Sequence, residues 1–270
     1  MIANVLSIAG SDPSGGAGIQ ADLKAFAALG AYGMAVITAL TAQNTQGVRS
    51  FQTVEPAFVA EQIDAIFADV RVDAVKIGMV ATAGIAAAVA DRLRRHAARN
   101  IVVDPVMVAK SGHHLLREDA VAALREGLVP MARVITPNLP EAGVLLGAAA
   151  PATLAEMRLA VRELHRLGPQ WVLLKGGHLA GADSTDLLFD GNELFELPVA
   201  RIDTPNTHGT GCTLSSAIAA LLPRFEMPEA VRRAKAYLTG AIAASGRLTV
   251  GSGHGPVHHF HALWTGDAAP

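Results

Sequence analysis

Two hydrophobic periods take turns along this chain. Short, nearly uninterrupted apolar runs at 5–9, 34–40, Ala74-Val75-Lys76-Ile77, Ile101-Val102-Val103, Arg133-Val134-Ile135 and Trp171-Val172-Leu173-Leu174 have the length and β-branched content of buried strands. Between them, apolar positions recur every three or four residues. Ile19, Leu23, Phe26 and Ala27 mark one face of a helix over 18–29. Val59, Ile63, Ile66 and Phe67 mark a second helix over 56–70, with Pro56 at its start. The same spacing predicts helices over 82–95, 117–127 and 153–167, and two terminal helices over 210–222 and 228–245. Leu187-Leu188-Phe189 and Leu194-Phe195-Glu196-Leu197, separated by Asp190-Gly191-Asn192, read as an antiparallel hairpin. Strands apolar along their whole length and separated by helices imply an α/β fold, a mainly parallel sheet covered on both faces. No fixed-period repeat, low-complexity linker or shift of composition divides the chain, so residues 1–270 read as one domain.

In such a sheet the ligand crevice lies beyond the carboxyl ends of the strands. Polar motifs follow six predicted strands in succession: Gly10-Ser11-Asp12, Thr41-Ala42-Gln43-Asn44, Gly78-Met79, Asp104-Pro105-Val106, Thr136-Pro137-Asn138 and Lys175-Gly176-Gly177-His178. Six in a row form a site. A hydrophobic content of 51% supplies a large core, and a formal charge of −2 gives no electrostatic footprint for nucleic acid or an anionic membrane. One cysteine cannot make an internal disulfide, which fits a reducing compartment. The start of the chain lacks the basic segment of a signal peptide, and no apolar run approaches the roughly 20 residues of a membrane span. A cytoplasmic protein is expected.

The strongest local signal is Thr207-His208-Gly209-Thr210-Gly211-Cys212, which opens the predicted helix over 210–222. A glycine-rich turn at a helix start aims backbone N–H groups and the positive end of the helix dipole at one spot, a cradle for phosphate. Cys212 sits where thiol pKa values fall, which makes it a candidate proton acceptor; the plain alternative is a small buried hydrophobe. An anion cradle beside a proton acceptor points to phosphoryl transfer. A second glycine-rich loop, Gly10 to Gly18, follows the first strand and lets the backbone approach a ligand, with Asp22 one helical turn beyond it. It is neither a Walker loop nor a dinucleotide fingerprint. Asp104 and Glu141 are the carboxylates suited to Mg²⁺, which keeps waters and takes one or two protein carboxylates plus substrate phosphates. From spacing alone, however, Asn138 and Glu141 read as a helix cap and its capping-box partner. Lys175, beside two glycines, is placed to meet a phosphate as a point charge. The histidines near the C-terminus, His254, His258, His259 and His261, lack zinc-like spacing and read as a solvated or packed tail. His113, His114 and His178 lie in glycine-flanked loops that could border the cleft, and Lys110 to His114 is a candidate lid.

Taken together, several of these stretches resemble the hydroxymethylpyrimidine/phosphomethylpyrimidine kinases of thiamine biosynthesis. They are 9–24, 38–45, Lys76-Ile77-Gly78-Met79, Asp104-Pro105-Val106-Met107, Thr136 to Ala142, Lys175 to His178, Thr207 to Cys212 and Gly253 to Phe260. The resemblance spans nearly the whole chain. It implies a ribokinase-like fold, a homodimer, and ATP- and Mg²⁺-dependent phosphorylation of 4-amino-5-hydroxymethyl-2-methylpyrimidine and then of its monophosphate. Carried onto these residues, it implies that Asp22 and Gln43 bond the aminopyrimidine, while Gly10, Met79 and Val106 wall its ring. Glu141, with Asp104, would organise Mg²⁺. Asn138, Glu141 and Lys175 would face the nucleotide phosphates, with Lys235 a weaker candidate on that side. The amides of Gly209, Thr210 and Gly211 would stabilise the transferred phosphoryl group, and Cys212, as thiolate, would take the hydroxyl proton. A cysteine-type pyridoxal kinase shares the Gly-Thr-Gly-Cys turn and is the nearest alternative. A non-catalytic vitamer-binding protein is the alternative from another class.

Overall fold

The apolar runs line up side by side in one sheet. The computed structural model describes residues 1–107 and 118–264. Its first half contains β1 (Asn4–Ser11), α1 (Gly18–Ala28), β2 (Tyr32–Asn44), β3 (Gly47–Thr53), α2 (Pro56–Asp69), β4 (Ala74–Ile77), α3 (Ala83–Arg95) and β5 (Ile101–Val103). The second half contains α4 (Glu118–Ala123), β6 (Val134–Ile135), α5 (Leu139–Leu146), α6 (Leu154–His165), β7 (Trp171–Leu174), β8 (Asp186–Phe189), β9 (Leu194–Leu197), α7 (Thr210–Leu221) and α8 (Met227–Ala243). Among the described residues the strand order is β3-β2-β1-β4-β5-β6-β7-β8-β9. The six strands from β2 to β7 in that order are parallel, and antiparallel partners close both edges.

Strand residues of opposite parity enter two cores. Leu6, Ile8, Val75, Ile77, Ile101 and Val103 pack against α2, α3, α5 and α6. Val5, Ala74, Val102, Val134 and Leu173 pack against Phe26 of α1, Ile218 of α7 and Val231 of α8. Burial on both faces explains why the strands read as continuous apolar runs. On the second face the alternation continues into polar residues: Val5 gives way to Ser7, Ala74 to Lys76, Val102 to Asp104, Val134 to Thr136 and Leu173 to Lys175. A row of polar side chains therefore crosses the sheet beneath the start of α7.

Two features depart from the sequence expectation. β3 was not expected; its Arg49, Ser50 and Gln52 are exposed and it carries no clear apolar alternation, because it only edges the sheet. The helix expected over 117–127 is α4 followed by a π-helical turn over Leu124–Leu128 and a 3₁₀ turn at Val129–Met131, where Pro130 cannot continue an α-helix. Among the described residues no helix is long and apolar enough to cross a membrane.

Candidate active site

The chain leaves β1 toward β2 on one side and β4 on the other, so a crevice opens at the carboxyl ends of these strands. A cleft of about 490 Å³ lies there, bordered by the end of β1, the overhanging end of β2 and the first turn of α7.

α7 starts from Gly209, whose φ of 76° and ψ of 11° are left-handed. A Cβ at this position would lie 1.8 Å from the carbonyl oxygen of Gly16, so the turn packs directly on the first glycine-rich loop. No side chain caps the helix, in contrast to Thr82 on α3 and Thr153 on α6. The uncapped first turn lines the cleft through Gly209, Thr210, Gly211 and Cys212, which leaves N–H groups for an anionic ligand. The first glycine-rich loop does different work. Its amides at Ser14, Gly16 and Ala17 donate to the Asp12 carboxylate at 2.9, 3.2 and 2.9 Å. The loop is wrapped around its own aspartate, so these amides are not free for an anion.

Lys175 Nζ stands 3.0 Å from Asp104 Oδ1 and 4.0 Å from Glu141 Oε2. Thr136 Oγ1 donates to the same Asp104 oxygen at 3.0 Å, and Ser215 Oγ approaches the other at 3.2 Å. Burial pushes Asp104 upward, yet Lys175 and Lys76 hold it below the usual carboxylate range. Burial also works against the Lys175 charge, but Asp104 and Glu141 raise its pKa. Glu141 is pushed up to about 7 by burial, with Lys175 opposing and Asp104 adding to the rise. Asn138 and Glu141 form the capping box of α5, each side chain accepting the other's backbone N–H at 2.8 and 2.9 Å. That box holds Glu141 at the cleft wall, so its capping role does not remove it from the cleft. Among the described residues no group of three His, Cys, Asp or Glu side chains is arranged to hold a metal ion. The donor set fits a magnesium ion carried mainly by phosphates and water, with one carboxylate from the protein.

At the other end, Met79 lies against Gly10, where an added Cβ would be 3.0 Å from the methionine sulfur. Met79, Ala39 and Ala81 form a small apolar cluster against which Val106 packs. Gln43 is set by Thr41 Oγ1 at 3.2 Å and by His208 Nε2 at 3.4 Å. His208 in turn lies 2.7 Å from Asp12 Oδ2. Burial opposes the Asp12 charge, but hydrogen bonds from His208 and Ser14 keep its pKa below the usual value. An apolar slot edged by one amide suits a flat, polar-edged ring.

The comparisons with known proteins agree along the whole chain. The family model described as phosphomethylpyrimidine kinase matches residues 12–258. The chain belongs to this family. It is 58% identical to a hydroxymethylpyrimidine/phosphomethylpyrimidine kinase of Rhizobium meliloti over 98% of this chain and 99% of that one. Identity to the protein of the same name from Salmonella typhimurium is 57%, over 97% and 98%. Among solved structures, an ADP complex of Bacillus subtilis pyridoxal kinase superposes with a TM-score of 0.90 at 38% identity, covering 97% of this chain and 99% of that one.

Of the residues implied by the phosphomethylpyrimidine kinase resemblance, most border the cleft: Gly10, Gln43, Met79 and Val106 at one end, Asp104, Asn138, Glu141 and Lys175 at the other. Three expectations need correction. Asp22 does not border the cleft; both its oxygens are taken by Lys76, Ser7 and Ser216 in the interior, so it has no lone pair to offer an aminopyrimidine. Lys235 does not reach the cleft either, because its Nζ pairs with Asp186 Oδ2 at 2.5 Å and with the Ser184 carbonyl. Cys212 is not a resting thiolate. Burial pushes its thiol up to about 11, with Lys76 pulling down and Asp22 and Asp104 pushing up. The helix start alone would lower it, but desolvation outweighs the dipole. Lys110, His113 and His114 lie outside the described residues, whereas His178 borders the cleft. His258 and His259 are buried in the packed C-terminal segment, where His259 Nε2 lies 3.0 Å from Thr213 Oγ1. Sequence reasoning gave no role to Lys76, Asp12 or His208. The only signal for Lys76 was a charge inside an apolar strand.

Proposed function

We propose that this chain is an ATP-dependent kinase that phosphorylates the hydroxymethyl group of 4-amino-5-hydroxymethyl-2-methylpyrimidine and then phosphorylates the monophosphate. One observation carries the reading: a single cleft joins an apolar, amide-edged slot to an uncapped helix start flanked by Lys175. The ring enters between Gly10, Met79 and Val106, with Gln43 on its polar edge. Its hydroxymethyl oxygen then lies near Cys212, in line with a γ-phosphoryl group seated on the first turn of α7. The oxygen–phosphorus bond forms as the bond to the leaving nucleotide breaks, and the hydroxyl proton passes to the minor thiolate form of Cys212 or to an oxygen of the transferred phosphoryl group. The amides of Gly209, Thr210 and Gly211 stabilise charge developing on the phosphoryl oxygens. Lys175, kept charged by Asp104 and Glu141, meets the phosphates. Glu141 or Asp104 would hold a magnesium ion bound with the nucleotide, which would supply neutralisation of phosphate charge. Most of the acceleration in such a reaction comes from positioning and charge stabilisation.

With its thiol pushed up to about 11 by burial, Cys212 rests as the thiol at neutral pH. Cys212 therefore orients the acceptor hydroxyl in its thiol form and takes the proton only as a minor species. A phosphate acceptor is already ionised and needs no such help. Cys212→Ala is expected to slow the first phosphorylation more than the second; equal losses in both steps would sink this role. A homodimer working in the cytoplasm belongs to the same reading, on the family resemblance.

The deciding experiment is mass spectrometry of products formed from Mg-ATP and the hydroxymethylpyrimidine, with pyridoxal run in parallel because of the 0.90 TM-score to a pyridoxal kinase. Two phosphates added to the pyrimidine are expected. Pyridoxal 5′-phosphate without any pyrimidine product would overturn the substrate assignment.

A further inference from the structure

Lys76, one residue before the end of β4, has no solvent exposure, yet it borders the floor of the cleft. Asp22 holds its ammonium with both carboxylate oxygens, each at 2.9 Å. The same carboxylate accepts Ser7 Oγ and Ser216 Oγ, both at 2.6 Å. Each Asp22 oxygen thus accepts two hydrogen bonds, which accounts for its lone pairs. Two of the three Lys76 N–H groups are spent on Asp22, and the third has no acceptor among the described residues. A carboxylate gripped on one side leaves that third N–H directed away from Asp22. Close packing on the remaining side is evident at Gly78, where an added Cβ would lie 2.9 Å from Nζ.

An ion pair this deep is not explained by stability, since well-packed apolar side chains would serve as well or better. Three groups contributed by β1, α1 and α7 hold this β4 cation still beneath the point where α7 begins. We propose that Lys76 is a fixed cation for the acceptor end of the cleft, clamped by Asp22, Ser7 and Ser216, and that its charge favours negative charge on Cys212 and on the acceptor oxygen during transfer. It acts through Cys212 and the acceptor, as a positioning residue. The charges that bear on Cys212 come from every element around it: Lys76 of β4, Asp22 of α1, Asp104 beyond β5 and Lys175 beyond β7, together with the backbone N–H of Gly18. Lys76 favours the thiolate and, unlike Asp22, borders the same cleft as Cys212. The statement about the acceptor oxygen rests on the kinase reading above. The statement about Cys212 does not.

Because Cys212 is the only cysteine, alkylation by iodoacetamide at pH 8 reads its thiolate population without background. Below the thiol pKa, that rate falls about tenfold for each unit by which the pKa rises. The Lys76→Gln/Asp22→Asn double variant removes both charges and lets two amides bond each other and the serines. Alkylation is expected to slow by about tenfold, and kcat for the first phosphorylation by a similar factor, with KM for the pyrimidine within about twofold. Lys76→Met/Asp22→Asn is the second variant, should the amide pair disturb folding, and it is expected to behave alike. Unchanged alkylation in a folded charge-free variant overturns the proposal. Slowed alkylation in a protein whose wild type phosphorylates no pyrimidine supports the Lys76–Cys212 coupling and defeats the kinase reading instead.

Discussion

Replacing Gly209 with alanine tests the central claim that one turn, closed on the first glycine-rich loop, forms the phosphate cradle. Two costs arise. Gly209 has φ 76°, and a left-handed backbone costs an L-residue about 1–2 kcal/mol. The new Cβ would also fall 1.8 Å from the Gly16 carbonyl oxygen, a backbone atom that cannot swing aside like a side-chain end. Relieving that overlap moves the two loops apart by more than an ångström and adds about 1–3 kcal/mol, the range for overpacking. The total of about 2–5 kcal/mol corresponds to a Tm fall of about 5–15 °C for a protein of this size. Catalysis is hit harder, since a 1 Å misplacement of a positioning group costs about 100-fold in rate. Gly147→Ala separates the two costs. Gly147 has φ 64°, and a Cβ there meets nothing within 4 Å, so only the backbone term remains and kcat should be unchanged. Steady-state kinetics with Mg-ATP and the hydroxymethylpyrimidine, alongside thermal melts, reads both. A Gly209→Ala enzyme with wild-type kcat would refute the cradle; equal Tm losses in the two variants would refute the contact argument.

Two further outcomes follow from the same geometry. His259 is pushed down to about 3 by burial, so below pH 6.5 the unfolded chain binds a proton that the folded chain does not. Stability above pH 6.5 is therefore lost as pH falls, by about 2 kcal/mol between pH 6.5 and 5, and urea unfolding should show that loss shrinking in His259→Gln. Lys235→Met leaves the Asp186 carboxylate buried without its cation and should cost about 3–5 kcal/mol in thermal or urea unfolding. Since Lys235 lies outside the cleft, KM for ATP should stay within about twofold; a large rise in that KM with stability intact would return Lys235 to the nucleotide.

The helices and strands were legible because their signals are local. Val59, Ile63 and Ile66 fall on one side of a helix whatever packs on it, and Val102 is apolar because both faces of β5 are covered. β3 carried no such signal, since an edge strand half open to water needs no apolar alternation. The capping box at Asn138 and Glu141 spans three residues and was equally readable. Polar groups after successive strands marked the crevice, because parallel α/β sheets collect their carboxyl ends on one side.

By itself the sequence determined the fold class, the cleft's place and the glycine-rich turn that lines it, all of which depend on spacings of a few residues. Only the tertiary structure decided how charges pair and which groups ionise. Lys76 meets Asp22 across 54 residues, and Lys235 meets Asp186 across 49, so neither Asp22 nor Lys235 is left for a ligand. Cys212 shows the same division most sharply. Its position at a helix start predicts a lowered pKa, yet the burial of this partly exposed thiol at the cleft wall pushes it up to about 11. A helix dipole is fixed by local backbone, whereas desolvation is fixed by everything that packs around the group, and here desolvation is the larger effect.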